Sequence, residues 1–214
     1  MRLATTVRDL LLATWAVPSA RLRQSLPTGV EPALAEDGSA LVSIAAGRNR
    51  NVKLEGIPMP GFTSLAVRTY VAVDGEPAVF LLALRVTPGG LGGALYGIPV
   101  RPARLRARRG EVVAPGLGAE LRYRVEEAAT EVPTAGGVPL GSHPSAAFRS
   151  AGVRCLDARY AGPAWRDAVL VDPPQLEPLL ALGFDPREPD SLLYAEAVEF
   201  ELSLPPRKVS DSAE

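Results

Sequence analysis

The hydrophobic pattern is clearest in residues 62–73, where a period of two sorts the side chains onto two faces. Leu65, Val67, Thr69, Val71 and Val73 share one face, and Ala66, Arg68, Tyr70 and Ala72 share the other. The first is a plain core face. The second alternates small residues with an arginine and a tyrosine, which suits either the wall of a polar cavity or a solvated outer surface. Asp74-Gly75-Glu76-Pro77 predicts a turn, and residues 79–86 predict the returning strand. Further strands are predicted at 40–46 (with 52–54 extending it or pairing beside it), 104–113, 120–127, 153–160, 168–171 and 191–204. Helical signals are few and short. Residues 20–26 follow Pro18-Ser19 as a cap, 91–96 form a glycine-weakened turn of helix, and 173–182 end at Gly183. Many strands and few helices predict a mainly β (α+β) fold built on an antiparallel sheet or barrel.

The 20 glycines and 21 prolines are spread along the chain, as many turns between short elements require. The clearest break lies at 134–139. Residues 1–204 are expected to form a single domain and 205–214 a frayed polar tail. The N-terminal apolar run 10–17 is short and adjoins Arg8-Asp9, which argues against a secretory signal. No apolar stretch approaches the ~20 residues that span a bilayer as a helix. A cytoplasmic protein without membrane contact is expected, and homo-oligomerisation is left open.

Lys+Arg number 23 against 24 Asp+Glu, so no global field draws the chain to nucleic acid. Arg101, Arg104, Arg106, Arg108 and Arg109 cluster, with Arg122 and Arg124 on a following strand, but Glu111, Glu120, Glu126 and Glu127 are interleaved. A mixed, ion-paired solvent face is the expected reading, and no nucleic-acid partner is predicted. One Cys and one His exclude a disulfide framework and a multi-histidine metal site, and no metal or cofactor is predicted. His143, in Gly141-Ser142-His143-Pro144, is expected on a surface loop, since adjacent Ser and His do not make a triad. Cys155 is expected to be a buried small hydrophobe. The carboxylates Asp157, Asp167, Glu196 and Glu199 have no informative spacing, and the glycines at 89, 90, 92, 93 and 97 match no phosphate-binding fingerprint.

The string Phe62-Thr-Ser-Leu-Ala-Val-Arg68-Thr69-Tyr70-Val71, with Asp74-Gly75, Val79-Phe80 and Leu84, resembles the uncharacterised YqjF-like family of the acetoacetate decarboxylase-like superfamily. Tyr96-Gly97-Ile98-Pro99-Val100-Arg101-Pro102-Ala103, Trp15-Ala16-Val17-Pro18 and Leu26-Pro27-Thr28-Gly29-Val30 fit the same family. The resemblance implies an antiparallel β-barrel-like core with peripheral short helices and an internal cavity. It implies no activity.

The superfamily's decarboxylase uses a Schiff-base lysine in a Gly-Phe-Pro-Lys-Lys motif, whose amine is activated by desolvation and a neighbouring cation. Here the matching string is Gly97-Ile98-Pro99-Val100-Arg101, with Val100 at the nucleophile's position, where no imine can form. Only two lysines exist, Lys53 and Lys208. Schiff-base chemistry is therefore disfavoured. Ser64-Leu65-Ala66 stands where closer relatives have Glu-x-Asn, which removes two polar groups from the expected site.

By analogy, Arg68, Tyr70, Tyr96, Arg101 and Glu196 are the candidate ligand-binding residues. In such a site arginine pairs with a small anionic metabolite and tyrosine orients it. An enzyme of non-Schiff-base chemistry, with a tyrosine or Glu196 as acid or base, is the alternative. A filled structural barrel in which Arg68 pairs with a buried acid such as Glu196 is the other.

Overall fold

In the computed structural model the described residues are 1–150, 152–161, 163–177 and 188–209. Nine strands carry the architecture: β1 (Arg2–Val17), β2 (Ala40–Leu54), β3 (Phe62–Val73), β4 (Glu76–Val86), β5 (Ala119–Ala129), β6 (Ser145–Ser150), β7 (Gly152–Tyr160), β8 (Arg166–Leu170) and β9 (Ser191–Ser203). Seven of them close into a barrel. β1 pairs with β2, β2 with β3, β3 with β4, β4 with β6, β6 with β7, β7 with β9, and β9 returns to β1. The β4–β6 step is parallel and the other six are antiparallel, so the sheet is mixed. β9 also pairs with β8, and β8 with β5, which starts a second leaf outside the barrel.

β1 was not predicted from the pattern, because a central strand covered on both faces loses its period-two alternation. Leu11, Ala13, Trp15 and Val17 point out of the barrel and pack with Val42, Ile44, Leu65 and Val67 beneath Leu121 and Tyr123 of the outer leaf. Leu12, beside Leu41, Tyr70, Leu193 and Ala195, points into the barrel. Burying each such leucine contributes roughly 1.5–3 kcal/mol. The run 10–17 that looks like a truncated signal segment is the middle of the fold.

The expected β3–β4 hairpin is present and turns on Asp74 and Gly75, both with positive φ (52° and 80°). That backbone matches the right-handed strand twist and is open to Asp-Gly. The predicted helix at 20–26 is the short α1 (Ser19–Arg23), anchored by the fully buried Leu22, with Pro18 rather than Ser19 at its N-cap position. Residues 40–54 form one strand. The expected strand 104–113 is broken at Arg109-Gly110 into Arg106–Arg108 and Glu111–Ala114, since Gly110 turns with φ 86°.

Of the expected helix at 173–182, Gln175–Leu176 instead pair with Glu120 and Ala119 as strand, Glu177 is helical, and residues 178–187 lie outside the described residues. Tail residues Arg207 and Lys208 pair with Cys155 and Arg154, and Val209 is buried, so the chain is held as far as Val209 rather than fraying after 204.

The two barrel ends differ. One is filled by Ala135, Leu140 and Trp165, which pack on the inward residues of β1 and β9. The other is covered by a 3₁₀ helix, Pro88–Tyr96, which contains the short helix expected at 91–96. Glycine is required there. A Cβ on Gly89 would meet the Gly61 carbonyl oxygen at 2.6 Å, and one on Gly90 the Phe62 ring at 2.7 Å. Their bareness lets the segment lie directly on the start of β3.

Candidate functional site

The barrel interior between these ends is an open cavity of about 300 Å³, within the range of small-molecule sites. Its wall is the inward set of each strand: Leu3, Thr5, Val7 and Leu10 from β1, Ala45, Gly47, Asn49, Val52 and Leu54 from β2, and Ser64, Ala66 and Arg68 from β3. Leu81, Leu84, Leu156, Val198, Phe200 and Leu202 complete the apolar lining, with Tyr96 and Val100 at the 3₁₀ end. Of the two roles open to the Ala66/Arg68 face, the structure gives it the cavity wall.

The polar groups on this wall are few. Asn49 donates through Nδ2 to Ser64 Oγ at 3.0 Å, and Thr5 Oγ1 donates to the Arg50 carbonyl at 3.0 Å. Arg68 is different. Its Nε is buried with no hydrogen-bond partner. None of the ion pairs among the described residues includes it. Its neighbours are aromatic. The guanidinium carbon stands 5.8 Å from the centre of the Tyr70 ring. The Tyr160 hydroxyl is held up by burial while the Arg68 cation beside it pulls the other way. A β-bulge sets this position: the register with β4 shifts between Val67 and Arg68, a device that re-aims a side chain.

Behind Arg68 lies a closed polar chain. The Tyr70 and Ser43 hydroxyls are 2.9 Å apart, and Ser43 and Thr14 are 2.8 Å apart. The ring of His143 sits 4.8 Å from that of Tyr70. His143 is not on a surface loop as expected. It is 0% exposed, and burial followed by the Arg68 charge pushes its pKa down to about 4 against the smaller, opposing effect of the Ala135 backbone, which neither ring nitrogen meets in good hydrogen-bond geometry. The reason is the packing of its loop: Gly141 sits so close to Trp165 that a Cβ would fall 2.6 Å from the indole.

The five expected site residues are therefore not brought together. Arg68 and Tyr96 share the cavity wall. Tyr70 is fully buried next to Arg68, its hydroxyl engaged with Ser43. Arg101 and Glu196 are exposed and off the wall, so the expected Arg68–Glu196 pair is absent. Glu196 follows Ala195, which faces inward, and the strand carries it to the outside. Tyr160 and Asn49 are wall residues that the sequence reading missed. Tyr160 ends a predicted strand with nothing to distinguish it, and Asn49 falls between the two predicted pieces of β2.

Among the described residues the wall carries no carboxylate, histidine, cysteine or lysine. Lys53 and Lys208 are both exposed, and Val100 occupies the wall where the resemblance places the decarboxylase lysine. Cys155 is buried on the outer side of the barrel, and burial raises its thiol. No group of three metal-ligating side chains occurs among the described residues. Four arginines of the basic cluster are ion-paired as expected: Arg106 and Arg108 to Glu111, Arg122 to Glu120, and Arg124 to Glu126; Arg109 lies over the Tyr194 ring instead. No described helix is long and apolar enough to cross a membrane.

Comparisons with known proteins agree with this architecture. Residues 4–162 match the family DUF2071, described as an uncharacterized conserved protein. Among curated proteins none matches the sequence. Among solved structures, the chain is similar to an acetoacetate decarboxylase-like enzyme from Sphingomonas wittichii RW1, at TM-score 0.60 and 16% identity, covering 97% of this chain and 94% of that one. It is similar to the enduracididine biosynthesis enzyme MppR complexed with pyruvate (TM-score 0.62, 13% identity, 100% and 92% covered). The acetoacetate decarboxylase from Legionella pneumophila aligns equally well (TM-score 0.62, 13% identity, 98% and 87% covered). At these identities the likeness is one of fold.

Proposed function

Since the chain belongs to the uncharacterized DUF2071 family and has the acetoacetate decarboxylase-like fold, we propose that it binds a small anionic molecule inside the barrel, with the anion on Arg68 and without a lysine imine. One observation carries the reading: Arg68 presents a cation to a nearly apolar cavity and has no carboxylate partner among the described residues. An uncompensated charge in such a place is costly, and a bound anion offsets that cost with short, charge-assisted hydrogen bonds. The pyruvate complex of the structurally similar MppR supports a carboxylate as the anion. Val100 on the wall and two lysines outside it support the exclusion of the imine.

Calorimetry with a panel of monocarboxylates tests this. Wild type binds, Arg68→Met binds about 10- to 100-fold more weakly, as loss of a charged hydrogen bond predicts, and Arg68→Lys recovers part of the loss. Borohydride added to the complex with a 2-oxo acid of the panel, pyruvate, leaves the protein mass unchanged. Equal affinity for wild type and Arg68→Met refutes the anion site, and a reduced covalent adduct refutes the non-imine reading.

A catalytic version is favoured by one contact, the Tyr160 hydroxyl beside Arg68 on the wall, where it can hand a proton to a bound anion. Turnover of a bound acid that Tyr160→Phe abolishes without changing affinity identifies that version. The open cavity speaks against a filled structural barrel.

A further inference from the structure

Resting on the cavity-binding reading above, we infer that the ligand is an amphiphile: a monocarboxylate whose head meets Arg68 and whose extended aliphatic chain runs along the barrel to the 3₁₀ end. Four features of the cavity specify it.

The first is its direction. Arg68 lies toward the filled end, next to the fully buried Tyr70. Phe62, six residues earlier on the same strand, touches the 3₁₀ segment at the opposite end. At the rise of a β-strand, six residues span roughly 20 Å. The cavity is a corridor with its cation at the inner end, far longer than a two- or three-carbon acid.

The second is the chemistry of the walls. Along the corridor the side chains are Leu3, Val7, Leu54, Leu81, Leu84 and Leu202 and their like. Of the polar exceptions, Asn49 and Ser64 bond to each other and Thr5 bonds to the Arg50 carbonyl, which leaves the Tyr96 hydroxyl at the 3₁₀ end and the Tyr160 hydroxyl beside Arg68. A sugar, an amino acid or a dicarboxylate would bury polar groups here without partners, at a cost its own contacts do not recover. A methylene chain has no such groups to satisfy.

The third is charge. Among the described residues the wall holds one cation and no anion. A carboxylate, with one negative charge, matches the two-pronged face of a single guanidinium, with the Tyr160 hydroxyl at hand for a further bond. A phosphate monoester, carrying roughly −1.5 to −2, leaves charge unmatched in an apolar site.

The fourth is the way in. Leu95 and Met59 both belong to the cavity wall, yet they are 86% and 42% exposed. Large apolar residues at a cavity's lip give an apolar chain a continuous surface to slide along.

The experiment is a chain-length series measured by calorimetry below the acids' micelle concentrations: pyruvate, acetate, hexanoate, octanoate and decanoate, with decanol and decyl phosphate as head-group controls, on wild type and Arg68→Met. Affinity should rise about three- to fourfold per added methylene until the corridor is full, as apolar transfer dictates. Arg68→Met should weaken the acids 10- to 100-fold and leave decanol unchanged. Decyl phosphate should bind more weakly than decanoate. If pyruvate or acetate binds as tightly as decanoate and still depends on Arg68, the amphiphile is wrong and the anion site stands. Decyl phosphate binding as tightly as decanoate overturns the carboxylate head. If decanoate binds wild type and Arg68→Met alike, or no acid binds wild type at millimolar concentration, the anion site itself fails.

Discussion

His143 buries both ring nitrogens where neither makes a hydrogen bond of good geometry, beside a cation that repels its protonated form. The folded protein takes up that proton only near pH 4, while an unfolded histidine does so near 6.5. Between those values the unfolded chain binds more protons, so stability is full above about pH 6.5 and is lost as pH falls toward 4. The size of the effect is on the order of 3 kcal/mol. Denaturant titrations at pH 7.5 and 4.5 should show a steep acid limb in wild type and a flatter one in His143→Phe. The variant should lie close to wild type at pH 7.5, because neither ring nitrogen makes a hydrogen bond of good geometry. An acid limb of unchanged depth in His143→Phe would show that another group sets it. No pattern in Gly141-Ser142-His143-Pro144 announces this burial, because it comes from Trp165, which packs against Gly141 from a distant part of the chain.

At the level of the element, β1 turns on Asp9. The residue sits at φ 50° inside a register shift between Arg8 and Leu11, where the strand's inward parity changes from odd to even residues. Its buried carboxylate accepts from the Tyr194 hydroxyl at 2.8 Å and pairs with Arg48, tying β1 to both of its neighbours, β2 and β9. Asp9→Ala should cost about 2–3 kcal/mol, below the full penalty for a buried pair because Arg48 is partly solvated. Asp9→Asn should retain part of that, and urea midpoints with unchanged slopes would check both. A loss under 0.5 kcal/mol for Asp9→Ala would mean that the bulge holds itself. The strand pair most plainly legible in the sequence was β3 and β4, with their period-two alternation and the marked turn at Asp74-Gly75. β1 was not legible, because two covered faces erase the alternation, and neither was the strand Gln175–Leu176, too short to carry a period. The candidate site divides the same way. Arg68 and Ala66 were legible from period two, whereas Arg101 and Glu196 were carried by analogy and face outward, and Tyr160 reaches the cavity only through ring closure between β7 and β9.

At the scale of the whole molecule, the barrel leaves its centre open while its outer face is packed by the second leaf. Folding is therefore driven mainly by the outer layer, with the filled end contributing the rest, and the interior is left for a ligand. A protein arranged this way keeps a reservoir of unused stability, since apolar atoms added to the cavity gain contacts that water does not supply. Ala66 is the position to test this: it faces the corridor between Ser64 and Arg68, and its neighbours across the sheet, Ala45 and Leu84, also line the space. Ala66→Phe should project a ring into the cavity without disturbing the outer core on Leu65 and Val67. Its expected signature is opposed: a melting temperature equal to or up to several degrees above wild type without ligand, and at least a tenfold loss of decanoate affinity. A large drop in melting temperature would mean that the interior is already filled by close packing, and the corridor would go with it. Unchanged affinity together with raised stability would place the ligand elsewhere on the molecule.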